Sequence, residues 1–143
     1  MMYQKILVAL ENSVTDEVIL RHIEPLVRLL GSEVLLAHVA DGWGARHFND
    51  LKLAPSQEME EDRLYLDTVV TRLQASGIST EAQLLSGEPA DELVKLARES
   101  GADLIAMSTH GHRFLSDMIY GTTVDKVRHK VEIPVLLLKA PKP

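Results

Sequence analysis

The sequence predicts an α/β fold, an open doubly wound parallel sheet of five strands with helices on both faces. Three observations carry this. Short continuous apolar runs alternate with stretches in which apolar residues recur at helical spacing. The order is strand then helix, four times over, before one last strand. Helical crossovers between consecutive strands make neighbours parallel, and the preference for right-handed crossovers leaves few topologies. At 143 residues, 45% of them apolar, the chain is sized for one domain, residues 1–143, with a substantial core.

The elements follow in order. "KILVAL", Lys5 to Leu10, is a continuous apolar run, as expected of a strand covered on both faces. Ser13 or Thr15 can cap the next helix, in which Val18, Ile19, His22, Ile23, Leu26, Val27 and Leu30 keep helical spacing until Gly31. Pro25 lies inside that helix, so a kink or the local loss of one hydrogen bond is expected there. "EVLLAHVA", Glu33 to Ala40, is a second buried strand. Residues 41–54 are the least regular, with Gly42, Trp43 and Gly44. Met59, Leu64, Leu66, Val69, Val70 and Leu73 then predict a helix of about five turns, closed by Gly77. Its acidic start, Glu58, Glu60, Glu61 and Asp62, reads as an exposed first turn that suits the helix dipole.

"STEAQLLS", Ser79 to Ser86, alternates as a strand nearer an edge does. Pro89 opens a third helix that runs through Leu93, Val94, Leu96 and Ala97 and stops at Gly101. "ADLIAMS", Ala102 to Ser108, is another buried strand. Val124, Val127 and Val131 mark the last helix, "PVLLLK", Pro134 to Lys139, the last strand, and "APKP" a frayed tail.

Composition removes several functions. A formal charge of -6 argues against nucleic acid as a partner. With no cysteine, disulfides, thiolate zinc sites and cysteine nucleophiles are excluded. "MMYQKILVAL" is too short an apolar run for a signal peptide, and no stretch approaches a bilayer span, so the expectation is a cytoplasmic protein without membrane insertion. His38 and His47 lack a third ligand at metal spacing and read as structural histidines, so no metal site is predicted. Nor does a catalytic constellation stand out. A hydrolase needs a placed base and nucleophile, whereas Glu11 and Asp41 are the only carboxylates predicted at strand ends.

In such sheets ligands bind beyond the carboxyl ends of the strands, where strand order reverses. That rule selects Ala9 to Ser13, Val39 to Asp41, and the stretch after Met107. "STHGHRFLSDMIYGTT", Ser108 to Thr123, lies between the fourth strand and the last helix and carries Gly111 and Gly121. Glycines let backbone N–H groups approach phosphate oxygens, and Gly121-Thr122-Thr123 at a helix start would offer N–H groups and hydroxyls to an anion. A loop followed by a helix cap uses the same residues without any ligand. His110, His112 and Arg113 form a cationic cluster, either facing phosphates or solvated at a loop tip. Trp43 and Phe48 fit a lid or simple packing. There is no G-K-S/T Walker sequence, and Gly42-Trp43-Gly44 lacks the third glycine of a dinucleotide fingerprint.

The stretch resembles the nucleotide-binding signature of the universal stress protein family, G-x2-G-x9-G-S/T. Ser108 takes the first glycine, Gly111 the second and Gly121-Thr122 the last pair, with His112 to Tyr120 between them. "KILVAL", "SGEPADEL", "GADLIAMSTHG" and "IPVLLLK" extend the resemblance over essentially the whole chain. It implies a Rossmann-like fold of the adenine nucleotide alpha hydrolase-like type. It also implies an adenine-nucleotide site for ATP or AMP, with or without Mg2+, in a homodimeric stress-response protein with little or no turnover. At most, slow ATP hydrolysis or autophosphorylation is implied.

Carried over by position, Ala9 and Val39 would hold adenine through backbone contacts, and Glu11 stands where the family usually has Asp, near the ribose. Ser108, His110, Gly111, Gly121, Thr122 and Thr123 would surround ribose and phosphates, next to Met107 at the strand end. His112 or Arg113 would face the terminal phosphates. Serine at position 108 suits the signature provided that position needs no positive φ. Some members of the family lack the signature and bind no ATP, so a nucleotide-free dimerisation or partner-binding module is the alternative. The apolar last strand, at a sheet edge in the family order, would pair with a second copy about a two-fold axis. The sequence names no downstream protein partner.

Overall fold

The computed structural model describes residues 2–40, 57–109 and 123–139. Along the chain run β1 (Lys5–Ala9), α1 (Asp16–Leu30), β2 (Glu33–Ala40), α2 (Gln57–Ala75), β3 (Thr80–Ser86), α3 (Pro89–Ser100), β4 (Leu104–Ser108), α4 (123–130) and β5 (Val135–Leu138). All strand pairs are parallel, in the order β3-β2-β1-β4-β5. This is the open, doubly wound α/β sheet that the alternation predicts.

The period-2 geometry of the strands sorts their side chains to two faces. Ile6, Val8, Val34, Leu36, Leu104 and Ala106 turn to one face and pack against Ile19, Ile23 and Val27 of α1 and Leu66 and Leu73 of α2. Leu7, Leu35, Ala37, Ile105 and Met107 turn to the other, against Leu93, Val94 and Ala97 of α3 and Val124 and Val127 of α4. Both faces of β1, β2 and β4 are therefore covered, which is why these strands read as unbroken apolar runs.

Helix ends follow local chemistry. Gly31 and Gly101 adopt the left-handed conformation just past α1 and α3, and each amide returns to a carbonyl of the last turn, Val27 and Ala97 respectively. At the start of α3, Pro89 occupies the first turn and the Glu88 side chain accepts from the Asp91 amide at 2.8 Å. Helix α1 runs through Pro25 from Asp16 to Leu30.

Two expectations need correction. Thr15 stands at the cap position of α1 but makes no side-chain cap bond; its hydroxyl donates instead to Glu11. Leu64, expected on the inward face of α2, is 66% exposed, because that face is set by Met59, Asp62, Leu66, Val69 and Leu73.

Register places the candidate site. Ala9 pairs with Ala37, so β2 continues through His38, Val39 and Ala40 past the end of β1, accompanied by β3 as far as Ser86. On the other side Val8 pairs with Ala106, which sets Met107 level with Ala9. From β1 the chain winds through β2 to β3 on one side, then through β4 to β5 on the other. The strand order thus reverses at the carboxyl ends of β1 and β4, where such sheets open a crevice. Among the described residues no helix is long and apolar enough to cross a membrane.

Candidate functional site

Of the residues predicted for the site, Ala9, Glu11, Val39, Met107, Ser108 and Thr123 lie within the described segments. His110, Gly111, His112, Arg113, Gly121 and Thr122 lie outside the described residues, as do Asp41, Trp43, His47 and Phe48. Ala9, Val39 and Met107, at the ends of three adjacent strands, share the α3/α4 face: Val39 and Met107 belong to its core, and half-buried Ala9 packs against it. Thr123 is buried at the start of the described part of α4.

Ser108 is the last residue of β4, opposite Leu138, and the Thr109 amide continues the ladder to the Leu138 carbonyl at 3.0 Å. Among the described residues, positive φ outside glycine occurs only at Tyr3 and Asn12. Ser108 therefore has backbone that any L-residue adopts, and the condition on its replacing glycine is met at the level of φ.

The turn between β1 and α1 is built around the Asp16 carboxylate. Asp16 opens the helix yet is only 1% exposed. Its oxygens accept from the amides of Glu11 (2.9 Å), Asn12 (2.9 Å) and Ser13 (3.4 Å). The Tyr65 hydroxyl of α2 donates to the same carboxylate at 2.5 Å. Four donors from two elements thus converge on one side chain. Asn12 takes φ of 60°, a left-handed conformation that Asn tolerates better than most residues.

A second buried carboxylate grips the turn from α2. The Asn12 side-chain amide donates to Asp62 Oδ1 at 2.8 Å, and His38 Nε2 lies 3.2 Å from Asp62 Oδ2. The other ring nitrogen, His38 Nδ1, is 2.8 Å from the Leu10 carbonyl. Asp62 was expected in an exposed acidic turn and is instead 5% exposed, whereas Glu58, Glu60 and Glu61 are exposed. The reason is helical phase, since Asp62 lies three residues after Met59 and four before Leu66 on the inward stripe. Both ring nitrogens of His38 are thus engaged.

The Glu11 carboxylate folds back into the same turn. Its Oε2 accepts from Ser13 Oγ at 3.1 Å and from Thr15 Oγ1 at 2.9 Å, and the two hydroxyls are 2.7 Å apart. Two hydroxyls therefore orient the carboxylate that the family resemblance assigns to the ribose.

Electrostatically, the Asp62 and Asp16 carboxylates both act on the His38 imidazole, and the Glu11 carboxylate lies in the same turn. Burial pushes the Asp16 pKa above its ordinary value, against the pull of the amide and Tyr65 hydrogen bonds. Burial and the Asp16 charge raise the Tyr65 phenol, which stays protonated as a donor. Burial alone would lower the His38 pKa, but the hydrogen bonds to Asp62 and the Leu10 carbonyl, with the charges of Asp62 and Asp16, raise it above the ordinary value. Among the described residues no group of three His, Cys, Asp or Glu side chains is placed to hold a metal ion.

Asn12, Asp16, Asp62 and Tyr65 were not among the expected site residues. One usable signal was the phase of α2, which turns Asp62 inward. Another was an Asn-to-Asp run directly after a buried strand, the chemistry of a tight left-handed turn.

The family model described as Universal stress protein family matches residues 2–139 of this chain. Universal stress protein MJ0577 of Methanocaldococcus jannaschii is 28% identical over 158 residues, covering 96% of this chain and 96% of that relative. Universal stress protein MJ0531 of the same organism is 28% identical over 147 residues, covering 99% of this chain and 85% of the relative. A solved structure of MJ0577 superimposes with a TM-score of 0.81 at 30% identity over 100% of both chains. The structure of a universal stress protein from Archaeoglobus fulgidus in complex with dAMP gives 0.69 at 26% identity, covering 96% of this chain and 98% of that one.

Proposed function

The chain belongs to the universal stress protein family, and from that premise we propose that it binds an adenine nucleotide, ATP or AMP, at the carboxyl ends of β1, β2 and β4. The observation that carries this reading is the common face of Ala9, Val39 and Met107 at the point where strand order reverses. The spacing from Ser108 through Gly111 to Gly121-Thr122 matches the family signature, and the dAMP-bound relative supports the ligand class.

In this reading the backbone at Ala9 and Val39 holds the base and the Glu11 carboxylate accepts from a ribose hydroxyl. Ser108, His110, Gly111, Gly121, Thr122 and Thr123 surround ribose and phosphates, with His112 and Arg113 toward the terminal phosphates. Mg2+, if it accompanies ATP, would arrive on the phosphates, which suits an ion that keeps most of its own water. The proposed role is a cytoplasmic, stress-responsive binder with little or no turnover.

Isothermal titration is expected to give heat with ATP or AMP that is lost in Gly121→Val. No heat and no thermal shift at millimolar nucleotide would favour the alternative, a nucleotide-free partner-binding module of the same family.

We further propose that β5 pairs with β5 of a second copy in an isologous homodimer. β5 is an edge strand, and Leu137 is 37% exposed on it. An apolar edge with open backbone groups favours pairing, and a lysine there opposes it. Sedimentation velocity is expected to find a dimer that Leu137→Lys shifts to monomer. A monomeric wild-type protein at tens of micromolar would remove the proposal.

A further inference from the structure

We propose that His38 is a positioning residue for this site: its imidazolium, held between Asp62 and the Leu10 carbonyl, fixes the turn that carries Glu11, so nucleotide affinity falls when the ring loses its proton. The inference rests on the nucleotide reading above and assigns a regulatory input to that same site.

The hydrogen-bond geometry is the basis. His38 Nδ1 faces the Leu10 carbonyl at 2.8 Å, and a carbonyl can only accept, so Nδ1 carries a hydrogen. Nε2 faces Asp62 Oδ2 at 3.2 Å. A neutral ring with its hydrogen on Nδ1 would set a bare Nε2 lone pair against a carboxylate oxygen. One further proton must therefore lie between Nε2 and Oδ2. The Asn12 side chain donates to the other Asp62 oxygen at 2.8 Å, which favours the ionised carboxylate and leaves that proton on the ring.

The pair grips the turn at two points. The ring holds the Leu10 carbonyl, and Asp62 holds the Asn12 side chain, on either side of Glu11. Asn12 has φ of 60°, a left-handed conformation that Asn tolerates and that these contacts fix in place. Asp16 holds the amides of the same turn, and the Tyr65 hydroxyl donates to Asp16. The charged groups that act on the ring are thus Asp62 from α2 and Asp16 from α1. Loss of the ring proton would bring an uncompensated lone pair against Asp62 and loosen both grips at once.

The sign follows from linkage. The folded-state pKa of His38 lies above its ordinary value of 6.5. Its contribution is therefore fully present below pH 6.5 and is lost as pH rises through the folded pKa. Nucleotide affinity is expected to fall about tenfold over that interval, within the usual range of couplings between sites.

The test has two independent readouts. In the ligand-free protein, NMR follows the His38 ring and the amides of Glu11, Asn12 and Ser13 from pH 5 to pH 10. The expected result is ring titration above pH 6.5, with the three amides moving at the same midpoint. Asp62→Asn should lower that midpoint, and His38→Asn, which keeps a donor toward Leu10, should abolish the transition. A ring that titrates below pH 6.5, or amides that ignore it, overturns the inference. The second readout is titration with AMP at the same pH values, at a temperature where all variants are folded. A purely structural pair would lower the melting temperature and leave affinity flat with pH, and that result also overturns the inference. Absence of AMP and ATP binding at every pH overturns the nucleotide reading instead, while the coupling of ring to turn is still decided in the free protein.

Discussion

Asp16→Ala is expected to lower unfolding free energy by about 3 kcal/mol, read as a lower urea midpoint at an unchanged slope. The substitution removes the acceptor for the amides of Glu11, Asn12 and Ser13 and for the Tyr65 hydroxyl. An orphaned buried donor costs roughly 1–3 kcal/mol, and partial access of water to the turn reduces the sum. The tie between α1 and α2 through Tyr65 is lost at the same time, so the cost exceeds that of an ordinary N-terminal acidic residue. Tyr65→Phe removes one donor and its partner bond but leaves the three amides satisfied, and it should cost only about 1 kcal/mol. Equal losses in the two variants would mean that the phenol, not the amides, dominates the cluster. Because Glu11 rides on this turn, Asp16→Ala should also weaken nucleotide binding in the protein that remains folded.

The contrast between Asp16 and the strands explains what sequence reading reaches. β2, Glu33–Ala40, coincides with its apolar run because the strand is covered on both faces, and a continuous run is the direct imprint of that burial. The stops at Gly31 and Gly101 were legible because only a residue without a Cβ turns left-handed there at little cost. The crossover rules reached the open doubly wound architecture, and the order β3-β2-β1-β4-β5 is read from the structure.

The polar cluster was harder to read, for a physical reason. Asp16 and Asp62 carry the same side chain as the exposed acids around them. What distinguishes them is their partners. For Asp16 these lie 3 to 5 residues away in the turn and 49 away at Tyr65; for Asp62 they lie 50 residues away at Asn12 and on the distant strand residue His38. Charge type says nothing about such pairing. Helical phase did carry part of it, since Asp62 falls on the stripe of Met59 and Leu66. Leu64 lies off that stripe, because phase and not apolar identity decides which side chains turn inward. For the site itself, the sequence pointed to the ends of β1, β2 and β4, but not to the donors that hold the β1–α1 turn in place.

Ala9→Phe is expected to lower nucleotide affinity by at least about 100-fold, or about 2.7 kcal/mol, with the fold retained. Ala9 ends β1 between Ala37 of β2 and the level of Met107 on β4, and it packs on the face shared with Val39. In the proposed pose the base lies beside Ala9, where a phenyl ring in place of the methyl group would compete with it for space. Ala9→Gly adds no volume and should bind nearly as the wild type does. The comparison with Gly121→Val separates the two ends of the ligand. Ala9→Phe should weaken adenosine, AMP and ATP alike, because all three share the base. Gly121→Val should spare adenosine and weaken the phosphorylated ligands if, as proposed, the signature glycines serve the phosphates. Unchanged affinity in Ala9→Phe would move the base off this face, and loss of adenosine binding in Gly121→Val would move the signature from the phosphates to the nucleoside.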